Sequence, residues 1–189
     1  GEPENGINPA LAIATITTQF DAITQTDISK ENYCLITPVY IKMGGKAYGV
    51  SAGSGEIHFT IRSNSNSKMK KIETSLENIA QTVADKYQLK CTINWTESFE
   101  ANENNITAIN FIKKAAEINN LELLEKENPF SWGEDFGLYT QHYSGALFGI
   151  GSGENIPALH NPDYDFPDAI IPSGVSIFHQ ISKQITDAH

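Results

Sequence analysis

The residues best suited to chemistry lie between Gly149 and Asp168. Gly149, Gly151 and Gly153 form a flexible glycine loop, His160 follows, and Asp163, Asp165 and Asp168 close the run. A neutral imidazole near carboxylates is a natural ligand for a divalent metal, with a carboxylate available to orient the ring. Leu159 before His160 and Asn161-Pro162 after it predict a tight turn that holds the ring in place. The plainer reading is an ordered surface loop with one histidine. The glycines suggest a phosphate cradle only weakly, because neither Walker spacing nor a dinucleotide fingerprint opening a helix is present. Ser152 raises the alternative of a Ser-His-Asp hydrolase, but Gly151-Ser152-Gly153 lacks the Gly-x-Ser-x-Gly elbow, and that reading is set aside.

A second cluster is Phe130-Ser131-Trp132-Gly133-Glu134-Asp135-Phe136. Glu134 and Asp135 open a short predicted helix, where the macrodipole alone accounts for negative charge. Among the other histidines, His58 alternates outward on a predicted strand, as a solvated residue or a substrate contact. His142 and His179 lie on or beside helices, and His189 ends the chain. Cys34 and Cys91 are too few for a disulfide framework and read as small buried apolar residues. The sequons at Asn94 and Asn105 carry little weight, since no basic segment followed by an apolar one opens the chain. A reduced, cytoplasmic setting is expected.

These residues must be positioned by elements the pattern also predicts. Asn8-Pro9 starts a helix over about residues 9–24, with Ile13, Ile16, Phe20 and Ile23 at helical spacing. Tyr33 to Met43 reads as a strand in which Pro38 requires an edge or a bulge. Glu56 to Arg62 alternates cleanly: Ile57, Phe59 and Ile61 on one face, His58, Thr60 and Arg62 on the other. Ser67 is the expected cap of a long helix whose stripe runs from Met69 through Leu76 to Tyr87. Leu89, Cys91, Ile93 and Trp95 then alternate with polar residues as a further strand. The order helix–strand–strand–helix–strand is that of a ferredoxin-like α+β sandwich lacking its first strand. After a polar linker from Glu97 to Asn105, the pattern predicts a helix over about 106–119 and a short strand at 121–124. A turn at Asn128-Pro129, a short helix near 134–141, a buried strand at 146–150 and a last helix over about 173–185 follow.

Composition bounds the function. The chain has 189 residues, 40% hydrophobic and 19% charged, enough for one ordinary domain or two small ones with a packed core. With 13 basic and 23 acidic residues the net charge is -10, and Arg62 is the one arginine. No basic face is available for nucleic acid or an anionic membrane, and no apolar run approaches the roughly 20 residues that span a bilayer.

Taken together, several stretches resemble the C-terminal part of the metal-dependent N-acyl-amino-acid amidohydrolases. That branch includes hippurate hydrolase and the auxin-conjugate hydrolases and is related to aminoacylase and carboxypeptidase G. The resemblance rests on Gly133-Glu134-Asp135-Phe136, on Gly149-Ile150-Gly151, on Ala158 to Phe166 around His160, and on Ile171-Pro172-Ser173-Gly174 before the last helix. Glu4 to Ala12, Met43 to Ala47 and the strand ending at Arg62 are similar to the family's lid domain. The resemblance implies a ferredoxin-like lid over residues 1–97 that mediates homodimerisation, and the end of an α/β catalytic domain over 98–189. It implies His160 as a metal ligand, with Arg62, Glu134, Asp135, Gly149, Gly151 and Gly153 near the substrate. The implied reaction is hydrolysis of the amide of an N-acyl amino acid or small peptide, with two divalent ions, zinc or manganese, per complete protein. Three departures accompany it. The family's N-terminal Cys/His motif and Glu-Glu pair are absent, the first lid strand is missing as though cut just before Gly1, and a substrate-contacting asparagine is Gly49. This chain alone is therefore expected to be incomplete and inactive. The alternative is a dimerisation or binding module that has kept the lid and lost the chemistry.

Overall fold

A computed structural model describes residues 2–187; His189 lies outside the described residues. The chain divides into two compact units, the first comprising residues up to Ala101 together with Asn128–Gly133, the second Asn102–Glu127 together with Glu134 onward.

In the first unit, helix α1 (Ala10–Asp21) begins where the Asn8 side chain accepts the Ala10 N–H at 2.9 Å, the capping that the Asn-Pro pair predicts. Strands β1 (Leu35–Met43) and β2 (Gly55–Arg62) form an antiparallel two-stranded ladder. Its register slips between Pro38 and Tyr40, so the residue that cannot donate to a ladder sits at a bulge. On β2, Ile57, Phe59 and Ile61 are half-buried while His58 and Thr60 are exposed; Arg62 departs from the alternation and is half-buried.

Helix α2 (Asn66–Lys86) starts one residue before the expected cap: Ser65, not Ser67, occupies that position, and its side chain makes no capping bond. The apolar stripe of α2 packs against α1, and α1 in turn meets both strands. Phe20, Cys34, Ile36, Leu76 and Ala80 form the core, with Ile16, Ile61, Ile72 and Cys91 against it. The Phe20 and Phe59 rings meet at 4.8 Å. Leu76 is 2% exposed, and its burial is worth about 2 kcal/mol.

The expected strand over Leu89–Trp95 does not form a ladder; β1 and β2 alone make up the sheet among the described residues. Gln88 takes a left-handed φ of 58°, and Leu89 N–H bonds back to Ala84 O at 2.9 Å, which turns the chain out of α2. Leu89 and Cys91 then lie half-buried, and Trp95 donates its indole N–H to Glu77 Oε1 at 2.7 Å. Alternation places side chains, but a strand also needs a backbone partner at about 4.8 Å, and none is within the described chain.

The second unit is built on α3 (Ile106–Ile118) and α5 (Ile171–Asp187), which pack together around Ala115, Ala116 and Ile177. Asn105 caps α3, accepting from the N–H groups of Thr107 and Ala108. The α3 exit repeats the α2 device: Asn120 has a φ of 52°, and Leu121 N–H reaches Ala116 O at 2.9 Å. The expected strands at 121–124 and 146–150 are absent for the same reason as at 89–95, the lack of a ladder partner. A short α4 (Phe136–Thr140) replaces the longer helix expected near 134–141, and α5 begins two residues earlier than expected, after a 3-10 turn at Asp168–Ile170.

Candidate functional site

The segment leading to the glycine loop is held by side-chain amides where a neighbouring strand would otherwise serve. Asn104 Nδ2 donates to Leu147 O and Leu147 N–H donates to Asn104 Oδ1, both at 2.8 Å, and Asn105 N–H bonds Gly145 O at 2.8 Å. Phe148 meets Phe178 of α5 with ring centroids 5.6 Å apart. Beyond this anchored stretch Gly149 and Gly151 are exposed, and Gly153 has a φ of 110°, a conformation that glycine alone adopts freely.

His160 follows in an unusual backbone state. Asn161 N–H bonds Ala158 O at 3.0 Å, closing the predicted turn, and His160 takes a φ of 74°. A second turn, Tyr164 N–H to Asn161 O at 3.0 Å, continues it. A non-glycine residue in the left-handed region costs about 1–3 kcal/mol, and such residues gather at functional positions. His160 is exposed, as are Asp163, Asp165 and Asp168. No group of three or more His, Cys, Asp and Glu side chains able to hold a metal occurs among the described residues. His160 is a chemically suitable donor, but the residues present do not amount to a metal site.

Glu134 and Asp135 are exposed at the start of α4. Their backbone carbonyls accept from Gly137 and Leu138, and the Asp135 side chain makes no capping bond. The capping explanation for this acidic pair therefore has no hydrogen bond behind it. His142 and His179 are exposed, and Ser152 is half-buried.

In the first unit, Arg62 donates from Nη1 to the Ser131 carbonyl at 2.9 Å and makes no ion pair among the described residues. The hydroxyl of the next residue, Ser63, is buried without a hydrogen-bond partner. His58 meets Tyr40 edge-on across the ladder at 5.1 Å. The Ser131 carbonyl and the Ser63 hydroxyl escape sequence reasoning: a backbone acceptor is the same in every residue, and an orphaned hydroxyl has no pattern. A groove of about 360 Å³ between α1 and β1 is lined by Ile13, Ala14, Thr17, Ile41 and Met43 among others, with no ionisable side chain. Burial raises the thiol pKa of Cys34, and burial followed by the nearby Asp85 carboxylate raises that of Cys91. Both therefore stay protonated and unreactive at neutral pH, in keeping with a packing role. No helix among the described residues is long and apolar enough to cross a membrane.

Comparison with known proteins adds to this geometry. An N-acetyldiaminopimelate deacetylase of Lacticaseibacillus paracasei is 21% identical over 98% of this chain and 49% of its own length. A probable hydrolase of Synechocystis is 28% identical over 93% of this chain and 47% of its own. An uncharacterized hydrolase of Staphylococcus haemolyticus is 24% identical over 72% of this chain and 37% of its own. The chain thus spans about half or less of the length of these relatives. Its mixed α/β fold matches that of a dinuclear metal binding M20 peptidase of Bacillus subtilis, at a TM-score of 0.72 and 17% identity over 95% of this chain and 46% of that one. A putative aminohydrolase from methicillin-resistant Staphylococcus aureus gives the same TM-score of 0.72, at 18% identity, over 96% of this chain and 48% of that one. The pattern of peptidase family M20/M25/M40 matches residues 3–184, and the chain belongs to that family.

Proposed function

We propose that this chain is the C-terminal part of a hydrolase that cleaves the amide of N-acyl amino acids or small peptides. Within the family, the hippurate hydrolase and auxin-conjugate hydrolase branch is the one it resembles. The observation that carries the reading is His160: the residue assigned as a metal ligand by resemblance is held at a φ of 74°, inside a chain whose family match spans residues 3–184. In this reading residues 1–97 are a ferredoxin-like lid through which the protein dimerises, and 98–189 belong to the catalytic domain. The complete protein takes two divalent ions, zinc or manganese, and works in the cytoplasm. Glu134, Asp135 and the loop from Gly149 to Gly153 lie near the substrate.

The test is metal stoichiometry by elemental analysis after dialysis against zinc or manganese, paired with turnover of N-acetyl and N-benzoyl amino acids. The gene product extended upstream of Gly1 is expected to hold two ions and to turn over. The chain alone is expected to hold none and to be silent. Turnover by the chain alone at an enzymatic rate sinks the claim of incompleteness, and an extended product that neither binds metal nor turns over sinks the hydrolase reading. A second reading, a dimerisation or binding module without chemistry, is favoured by Gly49, which stands where the family carries a substrate-contacting asparagine although an added Cβ would meet nothing within 4 Å. The upstream reading frame separates the two: a Cys/His-rich motif there supports the enzyme, and a start codon close to Gly1 supports the module.

A further inference from the structure

Residues 128–133 part from their sequence neighbours. The stretch before them, Asn102–Glu127, and the stretch after them, from Glu134, belong to the second unit, while Asn128–Gly133 belongs to the first. A six-residue segment that leaves and rejoins a unit in this way needs specific contacts to offset the entropy of ordering it. Its apolar contacts are modest. Phe130 and Trp132 stack on each other at 4.2 Å and 14°, but Trp132 remains 50% exposed. Gly133 lies close against Phe99, where a Cβ would come within 2.9 Å of the ring. One directional contact, across 69 residues, is that of Arg62 with the Ser131 carbonyl at 2.9 Å. Hydrogen bonds from a guanidinium to an oxygen acceptor are charge-assisted and are the stronger kind.

We infer that Arg62 is a positioning residue that clasps Asn128–Gly133 to the first unit through the Ser131 carbonyl, fixing the point from which Gly133-Glu134-Asp135-Phe136 starts. The inference rests on the proposed hydrolase only in taking that motif as close to the working site. Because the acceptor is a backbone carbonyl, the clasp depends on the donor at 62 and is indifferent to the side chain at 131. Arg62 also retains four further N–H donors for other partners.

Trp132 reports on the segment directly. In a Trp95→Phe background Trp132 is the one tryptophan, so its emission and acrylamide quenching read the state of 128–133. Arg62→Ala is expected to shift the emission to the red and raise quenching about two- to threefold. Arg62→Lys, which restores a charged donor of different shape, should fall between, and Ser131→Ala should match the parent. Hydrogen exchange of the β1–β2 amides serves as the control for folding. An Arg62→Ala protein with parental emission and quenching overturns the clasp. So does a shift accompanied by loss of β1–β2 protection, since Arg62 would then be holding the ladder itself. Metal content and turnover test the hydrolase and Trp132 tests the clasp, so either can fail without the other.

Discussion

The two units answer the same problem with different means. The first closes a core: β1 finds β2, and α1 and α2 cover the ladder around Phe20, Ile36 and Leu76. In the second, two helices pack through small residues, Ala115 and Ala116, while the extended stretches at 121–124 and 146–150 find no ladder. Apolar side chains are exposed in both units: Leu124 at 80% and Val175 at 64% in the second, Val50 at 76% and Leu11 at 65% in the first. The first unit pairs β1 with β2 and leaves 89–95 without a ladder, whereas in the second neither extended stretch is paired among the described residues. An isolated extended segment leaves backbone donors and acceptors to solvent, and asparagine amides such as that of Asn104 replace a neighbouring strand over one residue pair at most.

This contrast is open to direct test, beginning with the core. Leu76→Ala should cost about 3 kcal/mol, because Leu76 is 2% exposed and the packed neighbours would fill the resulting cavity only in part. Segment-resolved hydrogen exchange should show α1, α2, β1 and β2 losing protection together while α3 and α5 keep theirs. If α3 loses as much, the units are not separate in energy and the comparison breaks. In the second unit, where local bonds matter more, Asn105→Ala should cost about 1 kcal/mol through loss of the α3 cap, read as faster exchange at Thr107 and Ala108. No change at those amides would show that the cap does not hold the helix start.

His160→Gly should do the opposite and stabilise by about 0.5 kcal/mol, since glycine relieves the left-handed backbone while costing extra chain entropy. A measured loss of stability in urea denaturation would mean that the imidazole, not the backbone, holds the turn. The smallest effect is expected from the thiols of the first unit. Folding raises both pKa values, so their contribution is fully present below the unfolded value of 9.0 and is lost as pH rises through the folded ones. Stability should decline above pH 9.0 in the parent and decline less in a Cys34→Ala, Cys91→Ala protein. Equal decline in both would remove the thiols from the account.

Much of the first unit is legible in the residues themselves. Asn8-Pro9 marks a helix start, Pro38 marks the bulge, and Ile57, Phe59 and Ile61 mark the inward face of β2; each signal acts within a few residues or across one hairpin. The expected strand at 89–95 shows where such reasoning stops, for alternation specifies faces and not a partner. The site divides the same way. His160 and its turn follow from Leu159 and Asn161-Pro162, while its left-handed φ, a state shared with Gln88, Glu97 and Asn120, does not.

The sequence by itself determined the helices, the hairpin, the acidic surface and the chemistry-bearing loop at 149–168, because periodicity, turn residues and charge act locally. Only the tertiary structure decided that the half-buried Arg62 reaches the Ser131 carbonyl, that 128–133 sorts with the first unit, and that three expected strands remain without ladders. Those outcomes depend on which backbone groups come within about 3 Å of one another across long stretches of chain, and backbone groups are alike in nearly every residue.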